Sequence, residues 1–241
     1  MSSRTGQSAG HRQGQGRGDR QVNARGDYGR LHQLYARYAA NYDRRFHRYS
    51  QGTLDHAMQV IGHAAPGRVL DVACGTGLLT ERIRRRWPQA PIIGVDLSPD
   101  MLAVAERRLP RHTDGDEGAP YTDWRIGPAE ALPVEDGWAE LLTCTNAFHL
   151  VQRPEAALGE FHRALAPGGR LVLVDWCRDF RSMRTMLVML RVVRRQHRIA
   201  WTLGGLRGAV ERAGFTVEGA GRFKLGSMWG LMSIAARKAT P

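Results

Sequence analysis

The segment Arg68 to Gly77, reading RVLDVACGTG, constrains this chain more than any other stretch of it. RVLDVA is an apolar run of strand length, a glycine-rich turn follows, and Leu78 to Trp87 places its apolar residues at helical spacing. This predicts strand, tight turn and helix, the opening unit of a doubly wound sheet. In that architecture ligands sit beyond the carboxyl ends of the strands, where the strand order reverses. Gly75 and Gly77 allow positive backbone torsions and let a ligand approach the main chain. The turn is not a dinucleotide fingerprint, because Thr80 stands where the third small residue belongs, and no GK[ST] follows to make a phosphate loop.

A second unit runs from Pro91 to Leu109, with the strand PIIGVDL followed by Ser98 and Pro99, a suitable N-cap and first helical residue. Asp96 ends that strand 19 residues after Gly77, where a carboxylate can accept both hydroxyls of a ribose and would repel a 2'-phosphate. Ser98 already supplies the helix cap, which leaves Asp96 for a ligand. Further strands are expected at Asp123 to Ile126, Leu141 to Asn146 and Arg170 to Trp176, with a helix from Pro154 to Leu165 ended by Pro167-Gly168-Gly169. After a helix near Leu206 to Ala213, the strands Phe215 to Arg222 and Trp229 to Arg237 are close enough for an antiparallel hairpin. The alternation predicts an α/β fold with a mostly parallel sheet covered on both faces.

Upstream, Leu31, Leu34, Tyr35, Tyr38, Tyr42, Phe46 and Tyr49 recur at intervals of three and four, which predicts one or two amphipathic helices between Tyr28 and Ile61. Residues 1–27 differ: six arginines lie within the first thirty residues among seven glycines, with almost nothing apolar to offset ordering entropy. A disordered basic tail is expected there, and a single domain over 28–241. The formal charge of +12 rests almost wholly on arginine, since Lys224 and Lys238 are the only lysines. Such a charge attracts nucleic acid, anionic membranes or acidic substrates alike and does not choose among them. No apolar run approaches the ~20 residues of a membrane span, and no hydrophobic leader is visible, so a cytoplasmic location is expected. Cys74, Cys144 and Cys177 lack the paired spacing of a zinc site or disulfide framework, so no metal is expected.

Taken in order, VLDVACGTG, GVDLSPDML, GPAEALP, TCTNAFHLV and LAPGGRLVLVD resemble the successive motifs of class I S-adenosylmethionine-dependent methyltransferases. The resemblance covers about Arg68 to Trp176, and its wording is similar to the ubiquinone/menaquinone-biosynthesis-like subgroup labelled methyltransferase type 11. It implies a Rossmann-like, seven-stranded sheet whose last strand is antiparallel, S-adenosyl-L-methionine as cofactor, and an N-terminal helical lid. Carried over residue by residue, it implies that Asp71, Ala73, Gly75 and Gly77 surround the methionine part and that Asp96 takes the ribose. Leu97 and Met101 would pack on the adenine, Ala129 and Glu130 would form the loop beside it, and Asn146 would face the methionine amino group. Many relatives carry an acidic or amide residue where this chain has Pro128, so adenine recognition would rest on the Ala129 main chain and apolar packing.

A sulfonium methyl is already activated, so the protein must chiefly align the acceptor and exclude water. Where a base is needed, His149 in NAFHL is the candidate, its alternative being a pocket-wall residue. Tyr42 resembles a residue near the cofactor in relatives and otherwise reads as a core-facing helix position. Residues 179–202 combine Met183, Met186, Leu187, Leu190 and Val193 in an apolar stripe with six arginines. That pattern fits a cap over a hydrophobic acceptor with peripheral membrane contact, or equally a surface helix with a solvated cationic face. The expected function is methyl transfer to a small hydrophobic or aromatic molecule. Nucleic acid is the weaker acceptor, because TNAFHL lacks the Asp/Asn-Pro-Pro-aromatic signature of base-amine methylation, and a non-catalytic cofactor-binding relative is the third reading. The acceptor atom and the oligomeric state are not legible in these motifs.

Overall fold

The computed structural model describes residues 28–29, 35–112, 120–194 and 200–240. The expected tail over 1–27, Leu31, Leu34 and residues 195–199 of the 179–202 segment lie outside the described residues. A 3-10 turn at Ala39–Asn41 leads into α1 (Tyr42–Arg45) and α2 (His47–Ile61). Then β1 (Val69–Val72), α3 (Leu78–Arg86), β2 (Ile92–Asp96), α4 (Pro99–Arg108), β3 (Thr122–Ile126) and β4 (Ala139–Thr145) alternate as expected. A 3-10 turn at Phe148–Leu150 precedes α5 (Pro154–Ala164) and β5 (Leu165–Trp176). The chain continues through α6 (Arg181–Arg194), α7 (Leu203–Arg212), β6 (Phe215–Leu225) and β7 (Trp229–Lys238).

The strands form one seven-stranded sheet in the order β3-β2-β1-β4-β5-β7-β6. The first five are parallel, while β7 pairs antiparallel with both β5 and β6. Period-two alternation of strand side chains sorts the core into two layers. Val69, Ile92, Leu141 and Val172 pack beneath α2 and α3 through Leu54, Met58, Leu79 and Ile83. Leu70, Ile93, Leu142 and Leu171 face the opposite layer, where Leu158 and Phe161 of α5 and Leu206 and Val210 of α7 close over them. All four residues of β1 are buried, as expected of a central parallel strand covered on both faces.

Several boundaries differ from the sequence expectation. The helix before β5 stops at Ala164, and Pro167-Gly168-Gly169 belongs to the strand rather than ending the helix. Leu165 pairs with Ala139 before a register shift, so the chain is already extended at that point, with Gly168 at φ +74° absorbing the irregularity. The β6–β7 hairpin reaches Leu225, three residues beyond the expected end of its first strand.

Candidate active site

β1 and β4 lie side by side at the centre of the sheet, with β2 and β5 on their outer flanks, so the order reverses between them. Beyond their carboxyl ends, Ala73 and Asn146 both adopt left-handed torsions, at φ +55° and +58°. Such torsions in non-glycine residues are uncommon and cluster where a site demands them. They turn the main chain away from the sheet and open a crevice of about 1060 Å³, counting its mouth.

Of the residues the resemblance points to, Ala73, Gly75, Asp96, Leu97, Met101, Ala129 and Asn146 line this crevice. The Asp96 carboxylate is held in place: Gly75 N–H donates to Oδ2 and Ser98 N–H to Oδ1, each at 2.8 Å. A carboxylate oxygen can accept more than one hydrogen bond. Ser98 Oγ meanwhile accepts from Met101 N–H at 3.3 Å, the expected N-cap of α4. At Gly75, φ is +56° and a Cβ would meet nothing within 4 Å, so the main chain there faces open space.

Asp71, Gly77 and Glu130 are absent from the lining and act from behind it. Asp71 is 1% exposed and accepts from Thr80 Oγ1 at 2.7 Å and Thr143 Oγ1 at 2.8 Å, which ties β1 to α3 and β4. Gly77, at φ +75°, lets the loop approach α4 and Trp124; a Cβ there would come within 3.0 Å of Ala105 Cβ and 3.1 Å of the indole. Glu130 accepts from Tyr28 Oη at 2.5 Å and from Arg153 N–H at 3.1 Å, which anchors the N-terminal segment.

Burial raises the Asp71 carboxyl to about 6 against the pull of its two threonine hydroxyls. The native state therefore binds this proton more tightly than the unfolded chain, and Asp71 lowers stability as pH rises from about 4 to about 6. Asp71→Asn should abolish that decline. Relative to wild type, the variant should gain about 2 kcal/mol between pH 4.5 and 7 in urea unfolding. A stability difference that did not change with pH would contradict the assignment.

Tyr28, Tyr35 and Tyr42 line the crevice from the N-terminal side, which is where a lid would lie. The segment is clasped to the glycine loop by Asp43, which accepts from Thr76 Oγ1 at 2.6 Å and from the Arg108 guanidinium. Arg108 also donates to the Thr76 carbonyl at 2.9 Å. The tyrosine spacing marked this helix, whereas the Asp43–Thr76–Arg108 clasp had no sequence signal, because its members are far apart in the chain.

His149 does not line the crevice. It is 3% exposed, its ring stacks on Trp176 at 4.0 Å and 9°, and its Nδ1 lies 2.6 Å from Asp175 Oδ1. Its own N–H donates to the other Asp175 oxygen at 2.8 Å. The turn Phe148–Leu150 rolls this side chain back beneath β5 and presents Ala147 and Leu150 to the crevice instead.

Tyr49 was not singled out as a site residue from sequence. Its hydroxyl donates to Asn146 Oδ1 at 2.7 Å and accepts from Trp176 Nε1 at 2.8 Å, while Asn146 Nδ2 donates to Thr53 Oγ1 at 2.8 Å. Burial, reinforced by the Asp175 charge, holds the Tyr49 phenol well above its ordinary range, so it remains a proton donor to Asn146. These bonds fix which way the Asn146 amide points. Burial also pushes up the thiols of Cys74, Cys144 and Cys177, which keeps them from serving as thiolate nucleophiles.

The geometry fits an adenosyl group with an amino-acid tail: a fixed carboxylate for ribose hydroxyls, apolar walls at Leu97 and Met101, and open main chain at Gly75. Among the described residues no group of three or more His, Cys, Asp or Glu is placed to hold a metal ion.

Comparison with known proteins agrees. Residues 70–173 match the family model described as methyltransferase domain. A ubiquinone/menaquinone biosynthesis C-methyltransferase of Cereibacter sphaeroides is 30% identical over 179 residues, covering 68% of this chain and 70% of that one. A demethylmenaquinone methyltransferase of Thermus thermophilus is 40% identical over 112 residues, 46% of this chain, and the match spans about half of that relative, 48%. An S-adenosylmethionine-dependent methyltransferase of Thermotoga maritima has the same fold at TM-score 0.66 and 20% identity, covering 86% of this chain and 99% of that one. With five motifs in order and the sheet order of the fold, the chain belongs to the S-adenosylmethionine-dependent methyltransferases.

Proposed function

We propose that this enzyme methylates a small, uncharged, hydrophobic aromatic acceptor of the hydroquinone type. One observation carries the reading: in a chain with 35 Lys and Arg, no cationic side chain among the described residues lines the crevice, and Asp96 is the only charged one of them that does. The remaining walls are tyrosine, leucine, methionine and small residues. A phosphate-bearing acceptor would find no counter-charge there, whereas an aromatic ring finds Tyr28, Tyr35, Tyr42, Leu54, Leu150 and Val151. The quinone-directed names of the two curated relatives support the same class.

When bound, the cofactor supplies an electrophilic sulfonium methyl group. The chain's part is to hold the acceptor in line and exclude water, so positioning supplies much of the rate. In this reading Asp96, held by the Gly75 N–H, takes the ribose, Ala73 and Gly75 border the methionine part, and Asn146, set by Tyr49 and Thr53, faces the amino-acid end. Tyr42 orients the acceptor from the lid. His149, locked to Asp175 and Trp176, acts as a positioning residue that fixes the wall rather than as the base. His149→Gln should therefore leave the pH profile of turnover unchanged while reducing stability.

Tyr49→Phe leaves Asn146 Oδ1 and the Trp176 indole N–H without a buried partner, a loss of about 1–2 kcal/mol in stability. Turnover should fall about tenfold with acceptor KM little changed, because the acceptor side of the crevice is untouched. An unchanged turnover number would contradict the role.

The acceptor class is tested with labelled cofactor and a panel of a short-chain prenylated naphthohydroquinone, a simple catechol and transfer RNA. Label in the hydroquinone supports the reading; label in the RNA alone overturns it.

A further inference from the structure

Four large hydrophobic side chains are exposed among the described residues: Ile126, Val188, Met189 and Met228. Three of them lie at one corner, where α6 packs on the β6–β7 hairpin. Val188 is 63% exposed, Met189 53% and Met228 56%. The inner face of α6, through Met183, Met186, Leu187 and Leu190, is buried with Trp229, Leu225 and Trp176, so the outward residues are not spare core. Met228 immediately precedes Trp229 at the hairpin turn, which brings it to the same corner.

The charge around these residues has one sign. α6 contains four arginines and no acid. Arg178, Arg181 and Arg184 are exposed on or beside it, and Arg222 and Lys224 of β6 are exposed on the neighbouring strand. Both of these last cations lie within 6 Å of the Phe180 ring centre, at 5.9 and 5.8 Å, and Phe180 packs into the α6 cluster. The exception is Asp179, 3.7 Å from Arg222. Hydrophobic side chains projecting through a ring of cations match the boundary between acyl chains and anionic headgroups, where arginine binds phosphate and methionine or valine enters the apolar layer.

We propose that α6 and the β6–β7 turn form a docking face for an anionic lipid surface. Met183 on the buried side of α6 packs with Trp176, whose indole reaches Tyr49 and thence Asn146 at the crevice. Met183, Trp176 and Tyr49 thus link the docking face to Asn146 at the crevice.

The test is sedimentation of the full chain with vesicles of phosphatidylcholine alone and of phosphatidylcholine containing 30 mol% phosphatidylglycerol. Wild type should bind the anionic vesicles at least tenfold better than the neutral ones. The double substitution Val188→Ser with Met189→Ser keeps every charge, including those of residues 1–27, and should lower binding to anionic vesicles at least fivefold. Its thermal midpoint should stay at the wild-type value because both residues are exposed. Wild type that ignores anionic vesicles, or a double variant that binds them as wild type does, overturns the proposal. The vesicle readout involves no methyl transfer, so its outcome is separate from that of the acceptor panel.

Discussion

Replacing Asp96 with Ala should weaken S-adenosylmethionine binding by about 10- to 100-fold in calorimetry, the loss of about 1.5–3 kcal/mol from charge-assisted hydrogen bonds. The structure adds a second cost. The same carboxylate ties Gly75 N–H to Ser98 N–H, so its removal frees the glycine loop from the start of α4 as well as from the ribose. Asp96→Asn separates the two effects. Its amide retains one acceptor but turns an NH2 toward one of the two main-chain donors, so it should bind almost as poorly as Ala despite its near-identical shape. Wild-type affinity in either variant would remove Asp96 from the site.

A large effect on stability is expected at Gly94 and Gly77, which share one neighbour. A Cβ on Gly94 would fall 2.4 Å from Trp124 Cζ3 and 3.0 Å from Cys74 Sγ, and one on Gly77 would fall 3.1 Å from Trp124 Cη2. The indole therefore fills the space between the middle of β2 and the glycine loop, and its Nε1 donates to the Leu109 carbonyl at 3.1 Å, which limits its rotation. Gly94→Ala forces ring and strand apart in a packed layer, at a cost of about 2–4 kcal/mol in urea unfolding. Gly77→Ala should cost a similar amount, from a positive φ combined with close contact to Ala105 and the ring. Because the displaced ring pushes on the loop, cofactor affinity should fall in both variants. By contrast, Gly75→Ala has open space for its methyl and should lose affinity with a smaller loss of stability.

The parts legible in the sequence were those governed by short-range pattern. Each strand and helix of the Rossmann-like core followed from apolar runs and from Gly and Pro punctuation, and the Ser98 cap was read correctly to the residue. The boundary at Ala164 was misplaced because Pro-Gly-Gly reads as a helix stop, yet pairing of Leu165 with Ala139 had already drawn the chain into the sheet. At the site, residues at or immediately after strand ends, such as Ala73, Asp96 and Asn146, can be placed by motif because the strand fixes where the chain emerges. His149 could not, since a single 3-10 turn decides whether its ring faces the crevice or Asp175. The Tyr49–Asn146 bond joins residues 97 positions apart, and only the packing of α2 across the sheet brings them together. That no arginine among the described residues lines the crevice is likewise a property of three-dimensional arrangement, invisible in a net charge of +12.

The cofactor site proposed here is the space beyond the carboxyl ends of β1, β2 and β4. A crystal grown with S-adenosylhomocysteine tests that most directly. The ribose hydroxyls should lie within hydrogen-bond reach of Asp96, the adenine between Leu97, Met101 and Ala129, and the amino-acid end beside Ala73 and Asn146. The ligand bound elsewhere, or this crevice empty at a saturating concentration, would contradict it.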